Sequence, residues 1–290
     1  MQTFEYLRPG TVDAAIAALA SGEARALAGG TDLVPQIREG RRSASRVVDL
    51  KCIDELTAIT VRSDGCVSIG AAATATAVAR HAAIANAFPA IASSARLIGS
   101  LQVQNRASLG GNICNAAPSA DAVPALIAHA ARAVIAGPGG RREVDLSELL
   151  RGPGRTSLGS AELLVAIVLP PPAPRSAACY LRFTPRREMD IAIAGSAAWI
   201  ELDTRGTISA ARIVLASVAP TAIRAPSAEA KLIGARPTPA LLTEAGAFAA
   251  QDARPISDTR GSADYRRTLV SVLTTRALTD CCAQIKAMTA

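Results

Sequence analysis

The chain has 290 residues, half of them apolar and 19% charged, which is the composition of a soluble globular protein with two or three compact units. Its 31 Lys and Arg against 24 Asp and Glu leave a net charge of +7, but no basic run alternates with aromatics, which argues against nucleic-acid binding. No stretch approaches the roughly 18 unbroken apolar residues of a membrane span, and the N-terminus lacks the pattern of a signal peptide.

The first fifty residues alternate between strand and helix patterns. In chain order they predict strand Phe4–Leu7, helix Val12–Ala20, strand Arg25–Ala28, a helix that opens at Thr31, and strand Arg46–Leu50. Strands joined through helices pair in parallel, because the crossover brings the chain back to the same end of the sheet. We therefore predict a small parallel unit in residues 1–55.

A second unit is predicted from residue 56 to residue 174. Its elements are a hairpin of Leu56–Val61 and Cys66–Ile69, Ala-rich helices within 71–95, helix Ala122–Ala130, strand Ala133–Ala136, helix Asp145–Leu150, a loop at Arg151–Arg155 and strand Leu163–Leu169. The proline-rich stretch Pro170–Pro174 predicts a linker at its end.

The remaining residues, 175–290, predict an α+β unit. Three strands, Ala177–Phe183, Ile191–Leu202 and Gly206–Ala216, are joined by tight turns and predict an antiparallel sheet. The helical candidates after them are Ala228–Ile233, Pro239–Ala250 and Tyr265–Ala287.

Metal ligands are scarce in this sequence. The six cysteines contain no C-x-x-C pair and no spacing suited to zinc or an iron–sulfur cluster, and neither of the two histidines has a ligand-spaced neighbour. We therefore predict no metal bound by this chain, and reduced thiols in a cytoplasmic protein.

Two segments of small residues are the candidate binding loops. The first is Ala28-Gly29-Gly30-Thr31-Asp32, and the second is Arg106–Asp121, which reads RASLGGNICNAAPSAD. Loss of side-chain bulk is usually compensated by close approach of a ligand or of another chain segment to the backbone. Each glycine pair alone could be a tight turn, but together they suggest two walls of a cleft whose backbone N–H groups bind phosphate.

Other nucleotide-binding and hydrolytic signatures are missing. The first loop is not G-x-G-x-x-G, no G-K-[ST] occurs, and Ser108 has no histidine nearby in sequence that would suggest a catalytic triad. Asn112 offers a donor and an acceptor to a heterocycle or to a loop. Asp121 precedes an apolar helix and could either cap it or bind a ligand.

The stretch Arg182–Ile191 carries three arginines and two acids. It is either a solvated charged turn or a cationic lip over an electron-rich ring or a phosphate.

Three motifs in this order resemble one family. They are AGGTDL at Ala28–Leu33, NRASLGGNICNAAPSAD at Asn105–Asp121 and RRxxDIA at Arg186–Ala192. They are similar to the FAD-binding subunit, or medium chain, of the molybdenum hydroxylases, such as xanthine dehydrogenase and carbon monoxide dehydrogenase. The resemblance implies an α+β fold: a two-lobed FAD-binding domain of the vanillyl-alcohol-oxidase-like (PCMH-type) group, followed by a C-terminal domain of three-stranded antiparallel sheet plus helices.

The same resemblance implies a set of FAD contacts. Arg182 stands where relatives often have Lys, and Ile98 stands where some relatives carry an aromatic ring that could stack on the flavin. The implied cofactor-binding residues are Leu27, Ala28, Gly29, Gly30, Thr31, Asp32, Leu33, Ile98, Ser108, Gly110, Gly111, Asn112, Asp121, Leu164 and Arg182. No catalytic acid, base or nucleophile is implied.

The implied function is electron transfer within an oxidoreductase. A molybdenum-cofactor large subunit would oxidise the substrate, 2Fe–2S clusters of a small subunit would pass electrons to FAD on this chain, and NAD, a quinone or oxygen would accept them. The implied assembly is a heterotrimer, with its dimerisation left open. Two alternatives stand beside this one: a self-contained flavin oxidase or reductase of the same fold group, and a nucleotide-binding scaffold without a redox role.

Overall fold

The computed structural model describes residues 3–187 and 189–289, and it begins with a parallel sheet of strand order β1-β3-β2. Helix α1 begins where the Thr11 hydroxyl accepts from the Ala14 N–H, and it buries Val12, Ile16 and Leu19 on one face. The elements are β1 (Glu5–Leu7), α1 (Val12–Leu19), β2 (Ala24–Leu27), α2 (Leu33–Arg38) and β3 (Arg46–Asp49). The three strands pair in parallel, as the sequence predicts.

A five-stranded antiparallel sheet of order β4-β5-β10-β6-β7 follows, with helices over it. Its elements are α3 (Asp54–Thr57), β4 (Ile59–Val61), β5 (Val67–Gly70), α4 (Ala75–Arg80), α5 (Ala82–Ala87), α6 (Pro89–Arg96), α7 (Leu101–Gln104), α8 (Leu109–Asn115), α9 (Ala122–Ala128), β6 (Arg132–Gly137), β7 (Gly140–Asp145), α10 (Leu146–Leu149), β8 (Leu150–Gly152), β9 (Arg155–Thr156) and β10 (Leu163–Leu169).

Two local predictions in this part were wrong. The expected strand Leu56–Val61 is divided into α3 and β4, because Leu56 is fully buried in a one-turn helix. The expected loop Arg151–Arg155 is instead the β8–β9 ribbon, whose turn is made possible by the positive φ of Gly152 and Gly154.

The C-terminal sheet is antiparallel with order β11-β12-β13-β14, so a two-residue strand extends the three predicted strands. The predicted strand at Ile191 begins later, at Ala194, because the residues before it form a loop. The elements are β11 (Ser176–Phe183), β12 (Ala194–Leu202), β13 (Ile208–Ala216), β14 (Ile223–Arg224), α11 (Pro226–Leu232), α12 (Pro239–Asp252) and α13 (Ala263–Thr289).

The C-terminal sheet is buried on both faces. Along β12, Ala197 and Trp199 belong to the core shared with α6 and α9, whereas Ala198 and Ile200 pack among the residues of α11, α12 and α13. This alternation follows from the two-residue period of side chains along a strand. The sheet thus joins the helices beside the glycine segments to the C-terminal helices. Among the described residues, no helix has the length and apolar character needed to cross a bilayer.

Candidate functional site

The two glycine loops meet in space. A Cβ on Gly29 would lie 1.9 Å from the Arg106 carbonyl oxygen and 2.8 Å from the Ala107 nitrogen, far inside van der Waals contact. The backbone of the first loop therefore touches the backbone that leads into the second. Of the two explanations for small residues, close approach of another chain segment applies at Gly29.

We expect Gly29→Ala to separate these loops and to destabilise the protein by about 3 kcal/mol, the upper end of the usual cost of overpacking. Urea unfolding of the variant measures this loss. Gly10→Ala is the matched control, because a Cβ on Gly10 meets nothing within 4 Å. Equal stability of the two variants would show that the loops do not depend on this contact.

The second segment of small residues contains helix α8, and the two glycines of this helix, Gly110 and Gly111, contact different surroundings. Ser108 caps the helix by accepting a hydrogen bond from the Gly111 N–H at 3.0 Å. A Cβ on Gly110 would lie 2.4 Å from the Ala71 carbonyl oxygen, so Gly110 packs against protein. A Cβ on Gly111 would meet only Ser108 Oγ, at 3.1 Å, and Gly111 lines open space.

That open space is a cleft of about 600 Å³, within the roughly 300–1,000 Å³ typical of ligand pockets. The two glycine loops and the loop before β12 all line it. The lining residues are Arg25, Ala26, Ala28, Gly29, Gly30, Thr31, Asp32, Leu33, Gln36, Arg42, Ile98, Gly99, Val103, Ala107, Ser108, Gly111, Asn112, Cys114, Asn115, Ala117, Ser119, Ala120, Asp121, Met189, Asp190 and Ile191.

Among the fully buried side-chain atoms that the structure describes in the cleft wall, one lacks a hydrogen-bond partner. Asn112 Oδ1 is buried and accepts no hydrogen bond from the protein. A buried carbonyl oxygen without a donor costs about 1–3 kcal/mol, so it is a favourable acceptor for the N–H or O–H group of a ligand. On the same wall, Gln36 Nε2 donates to Asn115 Oδ1 at 3.1 Å and ties α2 to α8.

Asp121 is the centre of a buried polar cluster. Its carboxylate accepts hydrogen bonds from the Tyr180 hydroxyl, at 2.9 Å, and from the Arg182 guanidinium. Burial raises the pKa of Asp121 to about 6, although the charge of Arg182 and both hydrogen bonds oppose the shift. The side chain makes no cap hydrogen bond to α9, so the capping alternative was wrong. The cluster instead joins α9 to strand β11.

The described residues of the stretch Arg182–Ile191 end strand β11 and then form a hydrogen-bonded loop at the cleft rather than a free charged turn. Asp190 accepts from the Arg186 N–H and from Arg260, and Arg186 also donates to the Met189 carbonyl. Met189, Asp190 and Ile191 line the cleft, whereas none of the three arginines of the stretch does. Glu188, one of its two acids, lies outside the described residues.

Eleven of the fifteen predicted cofactor-binding residues line the cleft, and four do not. Leu27 packs with the small core of the parallel sheet, Gly110 packs on Ala71, Leu164 is buried within β10, and Arg182 reaches the cleft only through Asp121. The sequence interpretation missed Arg25, Gln36, Arg42 and Asn115 in the lining and Tyr180 behind it. Tyr180 was detectable, because it shares a strand face with Arg182 two residues away.

The described residues contain no group of three or more His, Cys, Asp or Glu side chains placed to bind a metal ion. They do fit a flavin dinucleotide: Gly111 leaves the cleft open at the start of α8, and Asn112 presents an unpartnered acceptor.

Comparison with known protein families supports the same cofactor. Residues 2–172 match the model of the FAD binding domain in molybdopterin dehydrogenase, and residues 179–281 match the CO dehydrogenase flavoprotein C-terminal domain. FAD, the cofactor implied by the motifs, is thereby confirmed.

Curated relatives match over nearly their whole length. The xanthine dehydrogenase FAD-binding subunit of Escherichia coli O157:H7 is 34% identical over 277 residues, which cover 95% of this chain and 94% of the relative. The carbon monoxide dehydrogenase medium chain of Hydrogenophaga pseudoflava is 33% identical over 278 residues, which cover 95% of this chain and 96% of the relative.

Solved structures agree with this fold. A chain of the Hydrogenophaga pseudoflava carbon monoxide dehydrogenase that lacks the Mo-pyranopterin moiety superposes with a TM-score of 0.92 at 33% identity, covering 97% of this chain and 98% of that one. A chain of quinoline 2-oxidoreductase from Pseudomonas putida 86 superposes with a TM-score of 0.92 at 28% identity, and the match covers 98% of this chain and 98% of that one. The predicted fold class is therefore confirmed, and the chain belongs to the family of FAD-binding oxidoreductase subunits of the molybdenum hydroxylases.

Proposed function

We propose that this chain carries FAD as the electron-transfer subunit of a molybdenum-dependent hydroxylase or dehydrogenase. It takes electrons from 2Fe–2S clusters of a partner subunit and passes them to NAD, a quinone or oxygen. The observation that carries the proposal is the convergence of both glycine loops on one cleft, with the Asn112 acceptor buried and unpartnered in its wall.

The composition of the cleft favours electron transfer over substrate chemistry. The described part of its lining contains no histidine or tyrosine and one cysteine, Cys114. Burial raises the pKa of Cys114 to about 12, which keeps the thiol protonated. The Asp121 carboxylate accepts a hydrogen bond from Tyr180 with one oxygen and pairs with Arg182 through the other, so both oxygens already have partners within the protein. This lining argues against a self-contained oxidase with its own acid–base groups.

FAD, when bound, accepts electrons singly and gives them up in pairs, which is the chemistry needed between one-electron clusters and two-electron acceptors. The protein's part is to hold and orient the cofactor. We propose that Ala28–Leu33 and Ser108–Asn112 hold the diphosphate and its neighbouring groups, that Asp121 and Ile98 lie at the flavin, and that Leu27, Leu164 and Arg182 support these residues from behind.

The proposed partners are a molybdenum-cofactor large subunit and a 2Fe–2S small subunit in a heterotrimer. The carbon monoxide dehydrogenase relative is named a medium chain, which fits a complex of several subunits. We further propose that the sheets of three, five and four strands mark three units, 1–55, 56–174 and 175–290. The cysteines are all free thiols in the described residues, which suits a reducing, cytoplasmic location.

The test is to purify the tagged chain both alone and with its co-expressed partner subunits. We expect the chain alone to bind FAD and to remain oxidised, under anaerobic conditions, when xanthine or carbon monoxide is added. In the complex, metal analysis should find molybdenum and iron, and a substrate of the large subunit should bleach the flavin absorbance.

Three outcomes separate the candidate functions. Bleaching in the complex alone supports electron transfer. Turnover of an organic substrate by the isolated chain would favour a self-contained oxidase, and a folded, colourless chain that takes up no FAD would favour a non-redox scaffold.

A further inference from the structure

The lining carboxylates of the cleft differ in whether a cation pairs with them. Of the residues that the structure describes, Asp32, Asp121 and Asp190 line it; Asp121 pairs with Arg182, and Asp190 pairs with Arg260 at 3.1 Å. Asp32 forms no ion pair within the described part of the chain, and it makes no cap hydrogen bond to α2. Asp32 is therefore the described lining carboxylate whose negative charge has no ion-pair partner.

The cationic residues of the lining lie at the same end of the cleft as Asp32. Arg25 donates through Nε to the Ser43 carbonyl at 3.2 Å, which fixes its side chain beside the first glycine loop. Arg42 is half-buried, and its guanidinium has no hydrogen bond or ion pair with any described residue. Burial raises the pKa of Asp32, and Arg42 and then Arg41 lie near enough to this carboxyl to oppose the shift.

A guanidinium that is half-buried and unpaired has an unused capacity for five N–H donors in a planar fork, which matches the geometry of phosphate oxygens. The FAD diphosphate brings two negative charges into this cleft. With Asp32 already negative there, Arg25 alone would leave that end with excess negative charge, whereas Arg25 and Arg42 together compensate it more fully. By contrast, Arg41, the neighbour of Arg42, is already paired with Glu39 at 2.5 Å on the surface.

We propose that Arg42 is the main side-chain ligand of the diphosphate of FAD, with Arg25 beside it, and that it makes the cleft select dinucleotide flavins over riboflavin. This inference rests on the proposed FAD-binding function and assigns a phosphate ligand outside both glycine motifs. The flavin end of the cofactor then lies toward Asp121 and Ile191, where the carboxylates are paired.

The test measures binding of FAD, ADP and riboflavin to the full-length chain after removal of its flavin. Since charge-assisted contacts to phosphate are strong, we expect Arg42→Gln to lower the affinity for FAD and for ADP by about 10- to 100-fold. Its affinity for riboflavin, which has no phosphate, should change less than about two-fold. Arg42→Lys should recover part of the loss, because it keeps the charge but not the fork. Arg41→Gln is the control, because it also removes a positive charge near Asp32, but Arg41 is paired with Glu39 and does not line the cleft, so its effect on FAD binding should stay below about two-fold.

Salt gives an independent readout. FAD affinity of the parent chain should fall as ionic strength rises, and the fall should be shallower in Arg42→Gln. FAD affinity of Arg42→Gln within two-fold of the parent, or equal losses for FAD and riboflavin, would overturn the assignment of Arg42. If the parent chain itself failed to bind FAD, the proposed function would fall as well.

Discussion

Gly111→Val should abolish FAD binding while the chain stays folded. Gly111 lines the cleft, and a Cβ there meets only Ser108 Oγ at 3.1 Å, so the methyl groups of valine extend into the part of the cleft where we propose that the cofactor binds. We expect FAD affinity to fall more than about 100-fold, which equals roughly 3 kcal/mol. The free energy of unfolding of the flavin-free chain should change by less than about 1 kcal/mol, because valine is a better helix former than glycine.

The adjacent glycine provides the control for this variant. A Cβ on Gly110 would lie 2.4 Å from the Ala71 carbonyl oxygen, so Gly110→Val should lower the stability of the chain by roughly 3 kcal/mol or more. Flavin absorbance after gel filtration and urea unfolding of both variants separate a blocked cleft from a damaged fold. Full FAD occupancy in Gly111→Val would contradict the placement of the cofactor at α8.

Arg182→Met should destabilise the flavin-free chain strongly at pH 8 and less at pH 5. The side chains of Arg182 and Asp121 are only 8% and 10% exposed, so the variant leaves a buried carboxylate without its cation. Breaking a buried ion pair in this way costs about 3–5 kcal/mol when the remaining group stays ionised. Urea unfolding at the two pH values measures the difference.

The sign of this pH dependence follows from the pKa of Asp121. Burial raises it from 3.8 to about 6 in the folded chain, and Arg182 opposes the shift, so its removal raises the pKa further. Stability linked to this proton is present at low pH and is lost as the pH rises through the folded value. At pH 5 Asp121 of the variant is protonated and the cost of the missing cation is small.

Arg182→Lys is the control, because it keeps a positive charge at this position. The free energy of unfolding should fall by no more than about 1.5–3 kcal/mol, the scale of one hydrogen bond to a charged group, and the fall should be similar at both pH values. An equal loss for Arg182→Met at pH 5 and pH 8 would show that Asp121 is not the group left unpaired.

Much of the fold was predictable because short-range patterns dictate it. The alternation of strands and helices before Leu50 gave the parallel sheet, and the runs at Ala177–Phe183 and Gly206–Ala216 gave two strands of the C-terminal sheet close to their observed bounds. Burial on one face of a helix or strand leaves a period in the sequence, and turns leave glycine, proline and small polar residues.

The errors fall where local pattern and tertiary contact disagree. Leu56 has the apolar character of a strand residue, yet it is buried in a one-turn helix against Gly70. Similarly, Asp121 stands at a typical cap position, but Tyr180 and Arg182, 59 and 61 residues away, bind its carboxylate instead. A nearby charged donor stabilises a carboxylate more than a backbone N–H of the helix does, and sequence spacing does not reveal that donor.

The sequence by itself determined the family, the cofactor and the two segments of small residues, because these features depend on which residue types occur at which spacing along the chain. Only the tertiary structure decided what each small residue faces: Arg106 at Gly29, Ala71 at Gly110, and the open cleft at Gly111. The tertiary structure also decided which charged residues lie close together in the cleft, since folding brings Arg25, Arg42 and Asp32 to the same end of it. Contact and charge compensation depend on distances in space, and residues far apart in the chain carry no local signal of them.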